Sequence, residues 1–470
     1  MSRRKKKNRR RFQNKIVANN NRSLIGTTGN IGGDIKENIS EYTGDIIHLE
    51  ITPIIVPTMI DVSCPFLLMP HGIEFRIQHV PKPMEKQENG PSFKAFHVAA
   101  DHSGCGWWRL HEIEDQINYK TKGSVINSSF RLPREYFLAV EFDAIRLQRQ
   151  LGPQLVAYWK EIHHMFKEMS TKTRMIYEID DVVCGTNIPG FNESKADFED
   201  EEVQTSLHHI LDFVDEFFVV SGKMREVYKD FHGGVDISVI PNFASRGWFD
   251  GYYDLERRMR VYDKNKKRPR ILISGGATHV NPNDRLLYSD SDYTKVLDAI
   301  ISARNDFKFV IMGVQPNQFR SFIENGEMEF CPWTGLPDYP RKLNELDIQC
   351  SIAPLFDNIF NRSKSSIKWQ EACYEGFGFA GQDMEPYVDA RNKFDVGAEL
   401  IDILKKITKD EQSYQEEIEY NRSQAEKYWL DDKIEDIMTL YKTPYGDPAR
   451  AEIEWFKKLN ESQFSGKKYC

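Results

Sequence analysis

Two rhythms alternate along this chain. Compact apolar runs rich in β-branched residues, among them RMIYEI, EFFVV, RILIS and FKFVIM, are each followed by a stretch whose apolar residues recur every three or four positions. In GPQLVAYWKEIHHMFKEM the stripe Leu155, Trp159, Ile162, Met165 and Phe166 marks one face of a helix. The stretches DEEVQTSLHHILDFVD, DYTKVLDAIISARN, VGAELIDILKKITKD and KIEDIMTLYK repeat that period, and Gly376 stands where a helix over KSSIKWQEACYE would close. Strands alternating with helices of this length predict an α/β chain with parallel sheets covered on both faces. The rhythm runs twice, on either side of a boundary near residue 245, with a basic linker from Lys264 to Arg270. The chain therefore reads as a tail over 1–40, two Rossmann-like domains over 41–244 and 245–440 that face one cleft, and a helical segment over 441–470.

Charge changes the picture at one end. The 470 residues carry a formal net charge of −8, yet ten of the 63 Lys and Arg fall in the first 22 residues, which hold no acid. The rest is left with 53 basic residues against 71 acidic ones, a body near −18. A basic arm (Arg3, Arg4, Lys5, Lys6, Lys7, Arg9, Arg10, Arg11) on an acidic globule fits DNA backbone contact, because each phosphate neutralised releases a counterion. A solubilising tail fits the same composition. No apolar stretch follows the charged start, so a secretory signal is not expected. No run approaches the roughly 18 apolar residues of a membrane span. Seven cysteines without CxxC spacing read as reduced thiols, and a cytoplasmic protein without a metal site is expected.

The candidate chemistry sits where strands hand over to helices. In NRSKSSIKWQEACYEG a helix starting near Ser363 would place Lys364, Lys368 and Glu371 on one face, beneath an N-terminus with unpaired N–H groups and the hydroxyls of Ser363, Ser365 and Ser366. A diphosphate would be held there, with Glu371 suited to sugar or ribose hydroxyls. A surface helix with Lys–Glu support gives the same spacing. In LISGGATH the run Ser274, Gly275, Gly276, Thr278 and His279 has the form of a nucleotide-contacting turn, although no Walker or dinucleotide signature is present. DHSGCGWWR offers a matching loop in the first half. There Gly104 and Gly106 allow close approach, Arg109 can reach a phosphate, and Trp107 and Trp108 are either core or an aromatic surface for an extruded base. In YEIDD, Asp180 and Asp181 follow a strand's carboxyl end, where they can orient acceptor hydroxyls or act as a base.

Taken in order, GCGWWR, RLQRQLGPQLVAYWKEI, MIYEIDDVV, IPNF, ISGGATH, FVIMG, IAPLFDNIFNRSKSSIKWQEACYEG and DMEPY resemble family-4-like glycosyltransferases of the GT-B fold, of the variety common in bacteriophage genomes. The likeness spans about Lys94 to Tyr387. It is most specific at Asn361, Lys364, Ser365, Lys368, Trp369 and Glu371. It implies a nucleotide-sugar donor, a UDP-sugar by default, held mainly by the second domain with Arg362 and Glu385 among its ligands. The acceptor would be held by the first domain, to which the last helices would return. Ser363 stands where the family carries the first of two glutamates. Retaining transfer of a hexosyl or pentosyl group to a hydroxymethylated pyrimidine in DNA is the reading this supports. A polysaccharide or protein acceptor, and an inactive GT-B binding module, are the alternatives.

Overall fold

A computed structural model describes residues 93–460, apart from 102, 122–124, 128–136, 138–140, 186–187, 193 and 280–290. The basic arm and the apolar runs before residue 93 lie outside the described residues. Two six-stranded sheets, parallel throughout, carry the fold. The first has the order β2-β1-β3-β4-β5-β6, with β1 Ala95–Val98, β2 Val125–Asn127, β3 Ala144–Gln148, β4 Arg174–Ile179, β5 Glu216–Val219 and β6 Ile237–Val239. The second has the order β12-β11-β10-β7-β8-β9, with β7 Arg270–Gly275, β8 Lys308–Gly313, β9 Glu329–Pro332, β10 Cys350–Ala353, β11 Gly378–Gln382 and β12 Lys393–Phe394. The central strands are buried on both faces, which is why they read as continuous apolar runs and do not alternate.

The helices differ from the sequence reading in detail. Helix Pro153–Glu168 buries Val156, Trp159, Ile162 and Phe166 against the first sheet, while Leu155 and Met165 are only half-buried. Each side chain fully removed from water there contributes roughly 1.5–3 kcal/mol. The segment Lys264–Arg270 is not a linker along its whole length. Lys264 lies in the last turn of helix Leu255–Asn265 and Arg270 opens β7.

Most consequential, no single helix starts near Ser363. A one-turn helix Ile359–Arg362, capped by the Asn358 side chain accepting from the Asn361 N–H at 2.8 Å, stops first. The main helix begins only at Ile367 and runs to Glu375. Lys364 therefore lies in the junction and does not share a helix face with Lys368. Gly376 closes the helix in the left-handed region at φ 65°, and a Cβ there would stand 2.3 Å from the Tyr253 ring.

From Leu430 onward the chain packs on the first sheet. Leu430, Ile434, Ile437, Leu440 and Tyr441 form one buried cluster with Phe93, Ala95, Ala144 and Phe218. Arg450 grips Glu216 of β5 with both guanidinium nitrogens, at 2.6 and 2.7 Å. At the open edge of β6, Asn460 accepts from the Val239 N–H at 2.7 Å and donates to its carbonyl at 3.1 Å, so the polar groups of that residue are satisfied. Among the described residues no helix is long and apolar enough to cross a membrane.

Candidate functional site

The loops that leave the carboxyl ends of the two sheets meet. Ser221, after β5, donates its hydroxyl to the Ser363 carbonyl at 2.7 Å. Asn242, after β6, donates its amide to Ser365 Oγ at 2.9 Å. Phe191 and Phe356 pack edge to face with ring centres 6.2 Å apart. Carboxyl ends of parallel strands are where open α/β sheets collect their functional groups, and here two such edges share one region.

On the first sheet the acids stand as the strand pattern predicts. Asp180 and Asp181 follow β4 directly, and the Tyr228 hydroxyl donates to the Asp181 carbonyl at 2.9 Å, fixing the turn. Arg149, which follows β3, pairs with Asp101 and lies 3.6 Å from Asp180. Burial and the neighbouring Asp180 push the Asp181 carboxyl above its ordinary range, against the pull of Lys364 and Arg149. Cys105, Asp180 and Asp181 offer three donor atoms within 4.8 Å of one another, the one such group among the described residues. Burial and the carboxylates hold the Cys105 thiol well up, and Arg149 and Lys364 already offset the acids.

Arg109 does not face this region. Its guanidinium is fully buried, bound to Glu178 and to the Ile240 carbonyl at 2.7 Å, the Pro241 carbonyl at 3.1 Å and Asn242 Oδ1 at 2.9 Å. The phosphate role expected for it is replaced by a structural one: it braces Asn242, which in turn braces Ser365. Trp107 and Trp108 are likewise core, packed against Trp248 at ring distances of 5.7 and 4.9 Å, so they present no surface to a base. Gly106 is a close-approach position, since a Cβ would fall 1.9 Å from the Asp101 carbonyl oxygen, whereas Gly104 has open space.

On the second sheet, the turn after β7 and the junction after β10 converge. His279 Nδ1 lies 2.6 Å from Asp292 Oδ2, and the other Asp292 oxygen accepts from Asn361 Nδ2 at 2.6 Å and from the Phe356 N–H at 2.9 Å. Lys364 Nζ stands 5.0 Å over the Phe360 ring. Lys368 pairs with Glu371 at 3.1 Å and lies 3.5 Å from the Tyr339 hydroxyl, which also meets Ser274. Burial lowers the His279 imidazole, helped by Lys364 and Lys368 and opposed by Asp292. Arg362 is spent on two carboxylates, Asp357 and Glu385, each at 2.6 Å, so Arg362 and Glu385 clamp loops together. Ser363 is buried and donates back to the Ile359 carbonyl at 2.8 Å. Gly276 and Thr278 belong to the same turn, both half-buried.

Two further residues belong to this region and are not marked by any pattern in the sequence. Asp292 opens the stretch DYTKVLDAIISARN, on a position that its apolar period does not use. Trp333, just past β9, is 51% exposed beside Tyr339, with ring centres 6.4 Å apart. A tryptophan directly after a strand is the only trace of the second along the chain.

No family model and no curated protein matches the sequence. Among solved structures, the chain is similar to Anabaena Alr3699/HepE in complex with UDP and glucose, with a TM-score of 0.50 and 9% identity over 74% of this chain and 98% of that one. An α-glucosyltransferase in complex with UDP and a 13-mer DNA containing an HMU base matches with a TM-score of 0.44 and 11% identity, over 74% and 99% of the two chains. TarM matches with a TM-score of 0.44 and 12% identity, over 66% and 57%. The architecture, two parallel sheets with their carboxyl edges apposed, is the GT-B fold of glycosyltransferases.

Proposed function

We propose that this protein is a nucleotide-sugar-dependent glycosyltransferase whose acceptor is a hydroxymethylated pyrimidine in DNA. One observation carries the enzymatic part: the junction bearing Lys364, after β10, is tied on both sides of that lysine to the loops of the first sheet, by Ser221 on the Ser363 carbonyl at 2.7 Å and Asn242 on Ser365 at 2.9 Å, and the Lys364 charge acts on Asp181 at that edge. The cation that would neutralise a departing diphosphate and the acid that would orient an acceptor hydroxyl therefore share one site. Transfer from a nucleoside diphosphate sugar builds negative charge on the diphosphate and positive charge on the sugar. Pre-placed cations at the developing charge are the largest lever a protein has over such a step.

In this reading Lys364, Lys368 and Ser365 receive the diphosphate, Ser274 to His279 flank it, and Glu371 meets sugar or ribose hydroxyls. Asp180 and Asp181 approach the acceptor. UDP is the donor nucleotide by analogy of fold, and retention is the outcome that the family resemblance implies, since retaining enzymes of this fold need no dedicated protein nucleophile. Trp333 supplies a face for the nucleobase. Trp333→Ala is expected to weaken UDP binding by about 1–3 kcal/mol, the usual worth of one base stacked on an aromatic ring, with thermal stability unchanged. Calorimetric titration of both proteins with UDP checks it, and equal affinities would remove the tryptophan from the site.

The DNA acceptor rests on the basic arm. Deleting residues 1–22 is expected to flatten the dependence of DNA affinity on salt, by about 0.9 in log–log slope for each phosphate that the arm neutralises. An unchanged slope would take the arm out of DNA binding and favour a polysaccharide or protein acceptor.

A further inference from the structure

His279 and Asp292 form a built pair at the carboxyl edge of the second sheet. The Asp292 side chain is 1% exposed, and its contacts are directional: His279 Nδ1 on one oxygen, the Asn361 amide and the Phe356 N–H on the other. The backbone repeats the tie, since the Asp292 N–H donates to the His279 carbonyl at 3.1 Å. The imidazole itself lies against the end of β7, where a Cβ on Gly275 would be 3.1 Å from its Cδ2, and remains 20% exposed. An anion so fully committed to one ring nitrogen fixes the tautomer: Nδ1 carries the proton and donates it to Asp292, leaving Nε2 as the nitrogen available to a ligand. Among the described residues, no hydrogen bond occupies Nε2.

The charged groups that face this ring are few. Asp292 favours the imidazolium, while Lys364 and Lys368 oppose it from the junction and helix after β10, and burial opposes it as well. The unliganded balance therefore leaves the ring neutral at physiological pH. A diphosphate arriving between the ring and the two ammonium groups reverses their field, because its negative charge exceeds what they supply.

We propose that His279 and Asp292 are a proton-linked receptor for a nucleoside diphosphate: the ring is neutral in the empty site and takes up a proton at Nε2 as the diphosphate binds. Asp292 is the positioning residue and His279 the ligand. This deepens the glycosyltransferase reading and rests on it, since it needs a diphosphate in this site. One consequence is that donor affinity falls as pH rises from the imidazole's pKa in the empty site to its higher pKa in the complex. A lysine-only site, titrating far above neutrality, would not show this.

The test is calorimetric titration of the full-length protein with UDP at pH 7.5, in buffers of different ionisation enthalpy, because the slope of apparent enthalpy against buffer enthalpy counts protons exchanged. UDP's terminal phosphate, with its second pKa near 6, is ionised there. The expected result is net uptake approaching one proton per UDP, lost in His279→Asn and reduced in Asp292→Asn, where the amide no longer imposes the Nδ1–H tautomer. Wild-type Kd should rise about tenfold per pH unit between the imidazole's pKa in the empty site and its higher pKa in the complex, and level off above the latter, as linkage of one proton requires; this readout needs no variant to fold. UDP binding without proton exchange would overturn the proposal and leave the glycosyltransferase reading standing. Proton uptake that persists in His279→Asn would overturn the assignment to this ring. Failure of UDP to bind at any pH would overturn both.

Discussion

Lys364→Ala is expected to lower turnover by about 10²- to 10³-fold, the scale found when one preorganised group facing a developing oxyanion is removed. The position of the side chain makes the loss specific. Lys364 lies in the junction between two helices, half-buried, over the Phe360 ring and within the field of Asp181, and it belongs to neither helix. Its removal should leave folding intact. Lys368 differs, because Glu371 at 3.1 Å already offsets part of its charge. Lys368→Ala should cost less in rate, and it would also strand a buried carboxylate. A steady-state assay of nucleotide release, with kcat and KM determined separately, distinguishes the cases. If Lys364 acts on the leaving group, kcat falls more than KM rises. Full turnover with unchanged donor affinity would refute the role.

The second large effect is one of stability. Glu178, at 0% exposure on β4, carries two fully buried guanidinium groups, Arg109 and Arg146. Burial lowers both arginines, to about 10, as expected for cations held out of water. Glu178→Ala leaves two buried cations without their anion. Breaking a buried pair by removing one partner costs about 3–5 kcal/mol, far more than the pair itself is worth, because the remaining charge stays desolvated. Chemical denaturation followed by fluorescence should show the first domain unfolding at much lower denaturant, with Glu178→Gln intermediate because the amide can still accept hydrogen bonds. The damage should also reach the site. Arg109 braces Asn242, and Asn242 holds Ser365 in the junction beside Lys364. A stability change below about 1 kcal/mol would mean that the network is hydrated.

How much of the molecule is legible in the chain follows from how far apart the determining residues are. Runs such as RMIYEI and FKFVIM form central strands because both faces are covered, and their unbroken apolar character places them. The strands β9 and β12 have no such signature: EFCP is an edge strand with Phe330 38% exposed, and KF pairs over two residues. The helix start at Ile367 is hidden by local capping, since Asn358 caps one short helix that ends before the next begins. Arg109 has a structural role that no local pattern shows, because its partners lie 69 to 133 positions away and meet it only when β4 and β6 assemble. The pairing of His279 with Asp292, 13 positions apart, is hidden in the same way, since the partners that complete it, Phe356 and Asn361, come from the junction after β10.

The most direct measurement is to incubate the full-length protein with a panel of nucleotide sugars and DNA containing 5-hydroxymethylpyrimidines, digest the DNA and weigh the nucleosides. A pyrimidine nucleoside heavier by one sugar residue is expected, formed from a UDP-sugar and lost in Lys364→Ala. DNA returned unchanged, together with no consumption of any nucleotide sugar, would contradict a DNA glycosyltransferase.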